Sequence, residues 1–352
     1  MKNATRAAMT LEPEFEAARA AFRTFLDPIP KDKKIVCLHD VDADGLAAGA
    51  VWQRVLERAG YQPQRLLPDR QRNAWTPENR ATLQETHPDA LFVLDLGTQS
   101  NKVLEDVPTC FIDHHHPEGV PDGDTLISGY AWNPIPNTSW MMWEIGKSIA
   151  DVEDLDWIAV VGTLSDLGEK APWEQIALAK KKYTAKWLKE ATALVNAPRR
   201  SAHFDADLGA QALLNHQNPK DLCESTDETA VALRAAREEV KAALEEGKKA
   251  APKFAGQVAL IRVNSPCQIH PLIAQVWRSR LPKFIVICAN EGYMEGRINF
   301  SARSGKDINA LEFLRSFEIA EGEGNFGHGH DQATGGSLPL ERWEELLEKM
   351  GF

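Results

Sequence analysis

One short stretch of the sequence, His-Asp-Val-Asp-Ala-Asp-Gly at residues 39–45, constrains the fold more than any other. An apolar segment at 35–38 leads into it, and a helical pattern over 46–59 follows it. Strand, carboxylates and helix in this order are typical of a site at the C-terminal end of a parallel strand. Three carboxylates so close together repel each other at neutral pH unless a cation or protons neutralise them. By itself, the stretch fits either a metal-binding loop or a solvated acidic turn.

The following part of the sequence repeats this pattern. The apolar run at 90–94 has the character of a buried parallel strand and ends in Asp95. The run at 109–112 ends in Asp-His-His-His at residues 113–116, and a later apolar run leads to Asp166. Helical patterns lie between these runs. Alternating strands and helices predict an α/β fold with a doubly wound, mostly parallel sheet.

The second half of the chain has a different pattern. Residues 173–255 are rich in Ala, Lys, Glu and Leu and are predicted to be almost entirely helical, whereas strands and helices alternate again further on. The length of 352 residues suggests two domains with ample core. We therefore predict an N-terminal α/β domain (1–172), a helical connector (173–255) and a smaller α/β C-terminal domain (256–352).

Composition narrows the class of protein. The net charge is -11 and no dense tract of Lys and Arg is present, which disfavours a grip on long nucleic acid but leaves short oligonucleotides open. No apolar run approaches the ~20 residues needed to cross a membrane, so we expect no membrane partner. The five cysteines are scattered and form no CxxC pair, which favours a reducing cytoplasm.

The acidic and imidazole groups that follow the predicted strands should lie together, because strand ends in a doubly wound sheet meet at one crevice. Carboxylates with one imidazole suit hard divalent ions such as Mn²⁺ or Mg²⁺ better than a structural zinc site. Two such ions could polarise a phosphate, lower the pKa of a water between them and stabilise the leaving oxygen.

The order of these motifs resembles the DHH phosphoesterase superfamily, in particular its RecJ-like and nanoRNase-like members. The shared pattern is Asp-x-Asp-x-Asp-Gly, a strand-terminal Asp, Asp-His-His and Gly-Thr-x-x-Asp. The C-terminal region resembles the DHH-associated domain. Its Ser-x-Arg-Ser strand is matched at 301–304, and its His-x-x-Ala-x-Gly motif is matched at 330–335. The motifs extend over most of the chain.

The resemblance implies a centre of two divalent ions in the N-terminal domain, with Mn²⁺ as the expected ion and Mg²⁺ as the alternative. Asp95 would bridge the two ions. His115 would contact the phosphate or assist the leaving group, and Asp113 would orient the imidazoles. Whether His39 or Asp40 completes the first metal shell stays open, although the triple aspartate favours packing of His39 at the strand end. The implied metal ligands are Asp40, Asp42, Asp44, Asp95, His114 and Asp166, and the implied catalytic group is Asp42, Asp95, Asp113 and His115.

For the C-terminal domain, the resemblance implies substrate recognition. Arg303 would clamp a phosphate through its guanidinium. His330 and the N–H groups of nearby glycines would hold the terminal phosphate or the nucleotide beside it. Phe326 departs from the family pattern and is interpreted as a core residue, with base stacking as the alternative. The implied substrate-binding residues are Ser301, Arg303, Gly327, His328, Gly329 and His330.

The activity implied by the resemblance is metal-dependent, in-line hydrolysis of a phosphodiester that releases nucleoside monophosphates, at a site between the two domains. The acidic balance and the expected lack of an appended OB-fold favour short single-stranded oligonucleotides as the partner. The alternatives are a RecJ-like exonuclease for longer single-stranded DNA and a phosphatase or phosphodiesterase for small nucleotides. A scaffold without activity is disfavoured, because every ligand position carries a competent side chain. The oligomeric state stays open, a homodimer included.

Overall fold

The structure, a computed structural model, describes residues 11–169, 171–319 and 325–352. The chain divides into two compact units. Unit 1 comprises the chain up to Pro198 together with Asp205–Arg234. Unit 2 comprises Arg199–Phe204 together with Ala235–Phe352.

Unit 1 is built on a five-stranded sheet in which all neighbouring strands are parallel. Its strands are β1 (Ile35–His39), β2 (Gln64–Leu66), β3 (Ala90–Leu94), β4 (Thr109–Asp113) and β5 (Thr125–Ser128). The sheet order is β2-β1-β3-β4-β5, so the chain reverses its direction of winding between β1 and β3. Such a switch point is where ligands bind in open α/β sheets.

Helices cover both faces of this sheet. Along β1, Ile35 and Cys37 contribute to one core and Val36 and Leu38 to the other, because side chains alternate along a strand. The prediction of a doubly wound α/β fold is thereby confirmed. The first core is covered by α1 (Glu12–Leu26), α2 (Ala43–Arg58), α4 (Thr138–Gly146) and α5 (Asp156–Asp166), and the second by α3 (Pro77–Glu85).

Four of the helices predicted as a connector pack on the first core of unit 1. Ile176, Leu188, Leu213 and Leu222 are buried in that core. Helix α10 (Glu228–Gly247) then contributes residues to both units. The four helices are α6 (Glu174–Tyr183), α7 (Ala185–Val195), α8 (Asp207–Asn215) and α9 (Pro219–Glu224).

The described part of unit 2 contains a six-stranded mixed sheet and three further helices. Its strands are β6 (Lys253–Ala255), β7 (Val258–Val263), β8 (Ile285–Met294), β9 (Arg297–Arg303), β10 (Asn325–His330) and β11 (Ala333–Pro339), and its helices are α11 (His270–Arg280), α12 (Ala310–Arg315) and α13 (Leu340–Met350). The sheet order is β10-β11-β9-β8-β7-β6, and β7 and β8 are its parallel pair. The His-x-x-Ala-x-Gly motif at 330–335 lies in the β10–β11 hairpin, beside the Ser-x-Arg-Ser strand.

The helix after the triple aspartate begins earlier than the sequence predicted, at Ala43. Asp42 is its N-cap, and the Asp42 side chain accepts hydrogen bonds from the N–H groups of Asp44 and Gly45. Asp44 therefore lies in the first helical turn. None of the helices in the described part of the chain is long and apolar enough to cross a membrane.

Candidate metal centre

The carboxylates predicted from strand ends lie at the switch point of the sheet in unit 1. Asp40 follows β1, Asp95 follows β3, and Asp113 is the last residue of β4. Each is at most 4% exposed. Gly45 packs so closely on this edge that a Cβ there would lie 2.5 Å from the Asp40 carbonyl oxygen, so the local packing requires glycine.

The start of helix α4 holds Asp44 through three hydrogen bonds. The Asn137 side-chain amide donates to Asp44 Oδ1 at 2.5 Å. The backbone N–H groups of Thr138 and Ser139 donate to the same carboxylate at 3.0 Å and 2.9 Å. A Cβ on Gly162 would lie 2.1 Å from Ser139 Oγ and 2.9 Å from Asp44 Oδ1, so glycine in α5 leaves room for this arrangement.

Asp95 occupies the centre of the cluster in a strained backbone conformation. Its φ of 64° is in the left-handed region, which aspartate adopts more readily than most residues. The hydroxyl of Thr138 donates to Asp95 Oδ1 at 2.8 Å. His114 Nε2 lies 3.4 Å from the same oxygen, and His115 Nδ1 lies 3.9 Å from it.

Asp113 orients the second histidine of the Asp-His-His motif. Its Oδ1 contacts His115 Nδ1 at 2.8 Å, and its Oδ2 accepts the N–H of Gly97 at 2.7 Å. Burial by itself would lower the pKa of His115, but the hydrogen bond to Asp113 and its charge raise that pKa to about 9. Asp113 therefore engages Nδ1 of His115, and Nε2 is the ring nitrogen that can contact a ligand.

Three groups of side chains place their ligand atoms within 4.8 Å of one another. Asp95 and His114 each belong to two of the groups, so the groups overlap. Oxygen-rich sets with imidazole suit Mn²⁺ or Mg²⁺. The groups are Asp40, Asp42 and Asp95; Asp44, His114 and Asp166; and Asp95, His114 and His115.

The electrostatics of these carboxylates fit a cation site. Burial and the neighbouring Asp44 and Asp42 raise the pKa of Asp95 well above its ordinary value. Burial and Asp44 raise the pKa of Asp166 to about 6. Burial likewise raises the pKa of Asp44, although His114 opposes that shift. Carboxylates that raise one another's pKa in this way are stabilised in their charged form by a bound cation.

Arg72, in the loop that follows β2, is a further member of the cluster. Its guanidinium forms a two-point contact with the Asp40 carboxylate, with Nε 2.7 Å from Oδ1, and Nη2 also contacts Asp42 Oδ2 at 3.1 Å. Arg72 has a φ of 55° and follows β2, so the loop after β2 turns back over the end of β1. Asp40 is therefore both a candidate ligand and an ion-pair partner.

His39 lies beneath this cluster, packed against helix α2. Its Nδ1 contacts the Asp40 carbonyl at 2.9 Å, and its Nε2 contacts Arg65 at 3.2 Å. Burial, with the charge of Arg65, lowers the pKa of His39 to about 3. Both ring nitrogens have partners in the protein, which favours the packing interpretation over ligation.

The second predicted set of residues belongs to unit 2. Ser301 and Arg303 lie on β9, and Arg303 Nη1 donates to the carbonyls of Ala302 and Thr334 at 2.9 Å and 3.2 Å. Burial, with the nearby Arg278, lowers the pKa of Arg303. His270 also lies in unit 2, and burial together with the charge of Arg303 affects its pKa; the sequence did not identify this residue.

His270 is 5% exposed at the start of α11. Its Nδ1 has no hydrogen-bond partner among the residues that the structure describes. Burial and the charges of Arg303 and Arg200 lower the pKa of His270 to about 3.

The glycines of the substrate-binding set lie in strand β10, whose backbone the structure describes. Gly327 has a φ of 64°, and its carbonyl accepts from Arg315 Nε at 3.0 Å. Phe326 is buried in the core of unit 2 beside Phe300, so it is a core residue and not a stacking platform. Gly329 lies within β10, while the predicted side-chain roles of His328 and His330 fall outside the described part of the structure.

Comparison with known proteins agrees with this fold. The family model described as "DHH family, N-terminal domain" matches residues 34–157. No curated protein sequence matches the chain significantly. Among solved structures, RecJ from Thermus thermophilus in complex with Mn²⁺ superposes with a TM-score of 0.71 at 17% identity, covering 98% of this chain and 55% of that one. The chain therefore spans about half the length of that RecJ.

Two shorter proteins are covered almost completely. An exonuclease RecJ bound to manganese has a TM-score of 0.67 at 18% identity, with 95% of this chain and 93% of that chain covered. A DHH domain described as belonging to a family of ribosomal proteins has a TM-score of 0.68 at 15% identity, covering 96% and 90%. These likenesses show a shared fold.

The doubly wound sheet and its acidic, histidine-containing switch point define a metal-binding α/β protein. The family match shows that residues 34–157 resemble the N-terminal domain of the DHH family, and the solved structures show that the fold is shared over most of the chain.

Proposed function

We propose that this protein is a metal-dependent phosphodiesterase that hydrolyses short single-stranded oligonucleotides to nucleoside monophosphates. The observation that carries the proposal is the overlap of the three ligand groups at one edge of the sheet, through Asp95 and His114. Asp44, His114 and Asp166 would hold one divalent cation, and Asp40, Asp42 and Asp95 would hold a second. Two bound cations would supply neutralisation of the phosphate charge and acidification of a water.

The protein's own residues would position the substrate and manage protons. Asp113 fixes His115 by its contact with Nδ1, so His115 Nε2 is the nitrogen that would contact the phosphate or the leaving oxygen. Thr138 and Asn137 hold the ligand carboxylates, which reduces the reorganisation needed when substrate binds. In unit 2, Arg303 and Ser301 would bind a substrate phosphate, with Gly327, Gly329, His328 and His330 as further candidates.

Two properties favour short substrates. The net charge of -11 opposes a long polyanion, and the sequence has no dense basic tract to hold one. A RecJ-like exonuclease for longer single-stranded DNA is the second candidate. It is supported by the likeness to the exonuclease RecJ bound to manganese, of which the chain covers 93%.

One assay separates these substrates. Oligomers labelled at the 5′ end, from dimers to long single strands in DNA and RNA form, are incubated with Mn²⁺ alongside small nucleotides. A rate that is highest for oligomers of a few nucleotides supports the proposal, whereas a rate that rises with length overturns it in favour of the second candidate. A chelator and Asp95→Asn serve as negative controls.

Metal binding is measured separately. Calorimetric titration with Mn²⁺ should show two sites in the wild type and loss of at least the site that includes Asp95 in Asp95→Asn. A protein without tight Mn²⁺ binding would be a scaffold of the same fold, and the enzymatic proposal would fail.

A further inference from the structure

An exposed aromatic pair lies directly beside the candidate metal centre. His116 follows the two histidines of the Asp-His-His motif, and its ring packs edge-on against Tyr130, with 4.9 Å between the centroids and an interplanar angle of 77°. Tyr130 is 42% exposed and His116 is also exposed. Among the Phe, Trp and Tyr residues that the structure describes in unit 1, Tyr130 is the exposed one.

The backbone fixes Tyr130 at the same edge of the sheet as the carboxylates. Ser128, the last residue of β5, pairs with Asp113, and the N–H of Gly129 donates to the Asp113 carbonyl at 2.8 Å. The N–H of Trp132 donates to the Gly129 carbonyl at 3.1 Å, which closes a turn with Tyr130 at its first central position. His116 follows His114 by two positions, which is at most about 7 Å along the chain.

This turn is anchored on its inner side. The Trp132 ring packs edge-on against Phe15 with 5.1 Å between centroids. A Cβ on Gly129 would lie 2.7 Å from Met141 Sδ, so the chain is tightly seated there. Tyr130 is thus presented by a fixed turn. A fixed aromatic side chain can bind a planar ligand without a large loss of conformational entropy.

We propose that Tyr130, supported by His116, is a stacking site for the nucleobase next to the phosphate held at the metal centre. The inference rests on the proposed function and adds that the site selects substrates that carry a nucleobase. Every base has a π-face, so stacking on tyrosine accepts all sequences, whereas an inorganic phosphate chain has no such face. Two more exposed apolar side chains, Val120 and Ile135, lie between β4 and α4 in the chain.

The first test compares hydrolysis of two matched trimers, one with normal bases and one built of abasic nucleotides. Tyr130→Ala should lower kcat/KM for the normal trimer by about 5- to 150-fold, which corresponds to the ~1–3 kcal/mol of base–aromatic stacking. Hydrolysis of the abasic trimer should not change. Tyr130→Phe, which keeps the ring, should behave like the wild type. Equal losses on both trimers, or no loss on either, would overturn the inference.

The second test does not depend on catalysis. Binding of 2-aminopurine riboside monophosphate with Mg²⁺ should quench the fluorescence of the base in the wild type and in Tyr130→Phe. Tyr130→Leu keeps apolar bulk but has no ring, and should lose the quenching. Quenching that is absent from the wild type or unchanged in Tyr130→Leu refutes the stacking site. Failure to hydrolyse any oligomer would instead count against the proposed function, since this readout is separate.

Discussion

The hydroxyl of Thr138 offers a sharp test of the metal centre, because it touches a candidate ligand without being one. It donates to Asp95 Oδ1 at 2.8 Å, and both side chains are buried. The backbone N–H of Thr138 donates separately to Asp44. Thr138→Val removes the hydroxyl but keeps the shape and the N–H. Thr138→Ser keeps the hydroxyl and removes a methyl group.

The expected size of the effect follows from this one contact. A hydrogen bond to a charged group contributes about 1.5–3 kcal/mol. At ~1.4 kcal/mol per tenfold, Thr138→Val should weaken Mn²⁺ binding by about 10- to 150-fold. Residues that orient metal ligands typically contribute about 10- to 100-fold, which agrees. Thr138→Ser should bind Mn²⁺ nearly as well as the wild type, because the lost methyl group affects packing and not the carboxylate.

Calorimetric titration of the three proteins with Mn²⁺, after removal of bound metal by a chelator, measures this difference. Thermal unfolding in the chelator checks that each variant is folded. Equal affinity in Thr138→Val and the wild type would show that Asp95 is not a ligand oriented by this hydroxyl. Equal losses in the Val and Ser variants would show that packing, and not the hydrogen bond, is responsible.

Three further outcomes are expected. Asp95→Asn, which tolerates the φ of 64° at this position, and Asp166→Asn should each abolish Mn²⁺-dependent hydrolysis with an unchanged circular dichroism spectrum, and full activity in either would contradict the ligand assignment. In a chelator, the Tm of the wild type relative to that of Asp166→Asn should rise as pH falls from about 7 to about 5, since this comparison cancels the opposite contributions of buried His39 and His270. The pKa of Asp166 is about 6 in the folded protein against an ordinary 3.8, so its stabilising contribution is lost as pH rises through 6. The same dependence of Tm on pH in Asp166→Asn and in the wild type would refute this. Gly49→Ala should lower the free energy of unfolding by about 1–3 kcal/mol in a denaturant titration, because the new methyl would lie 2.3 Å from the His39 ring; wild-type stability would contradict that packing.

The strands that run through the centre of each sheet were predictable because both of their faces are buried. The continuous apolar run at 90–94 marks β3 at its observed bounds, and the apolar run at 258–261 marks most of β7, in which Arg262 is exposed. Strands β5 and β6 lie at sheet edges and β10 and β11 form a glycine-rich hairpin, so their sequences carry no such run. Hydrogen bonding to neighbouring strands determines those elements, and that pairing is not encoded locally.

In the candidate site, too, some positions were predictable from the sequence and others were not. Asp40, Asp95 and Asp113 were predicted together because each follows or ends a parallel strand, and parallel strands end at one edge. The contact of Arg72 with Asp40 is not predictable from sequence, because a loop arginine can equally face solvent. The exposure of Tyr130 had no sequence signal either, since aromatic residues nearby in the chain are buried.

The sequence by itself therefore determined the alternation of central strands and helices, the types of ligand and the place of Asp40, Asp95 and Asp113 at strand ends, since hydrophobic periodicity and residue chemistry are local properties. The triple aspartate, taken alone, fitted a turn as well as a metal loop. Tertiary structure decided how its members differ: Asp42 caps helix α2, Asp44 is held by helix α4, and Asp40 pairs with Arg72. The physical reason is that hydrogen bonds and ion pairs between segments distant in sequence assign each carboxylate its partner, and only folding brings those segments together.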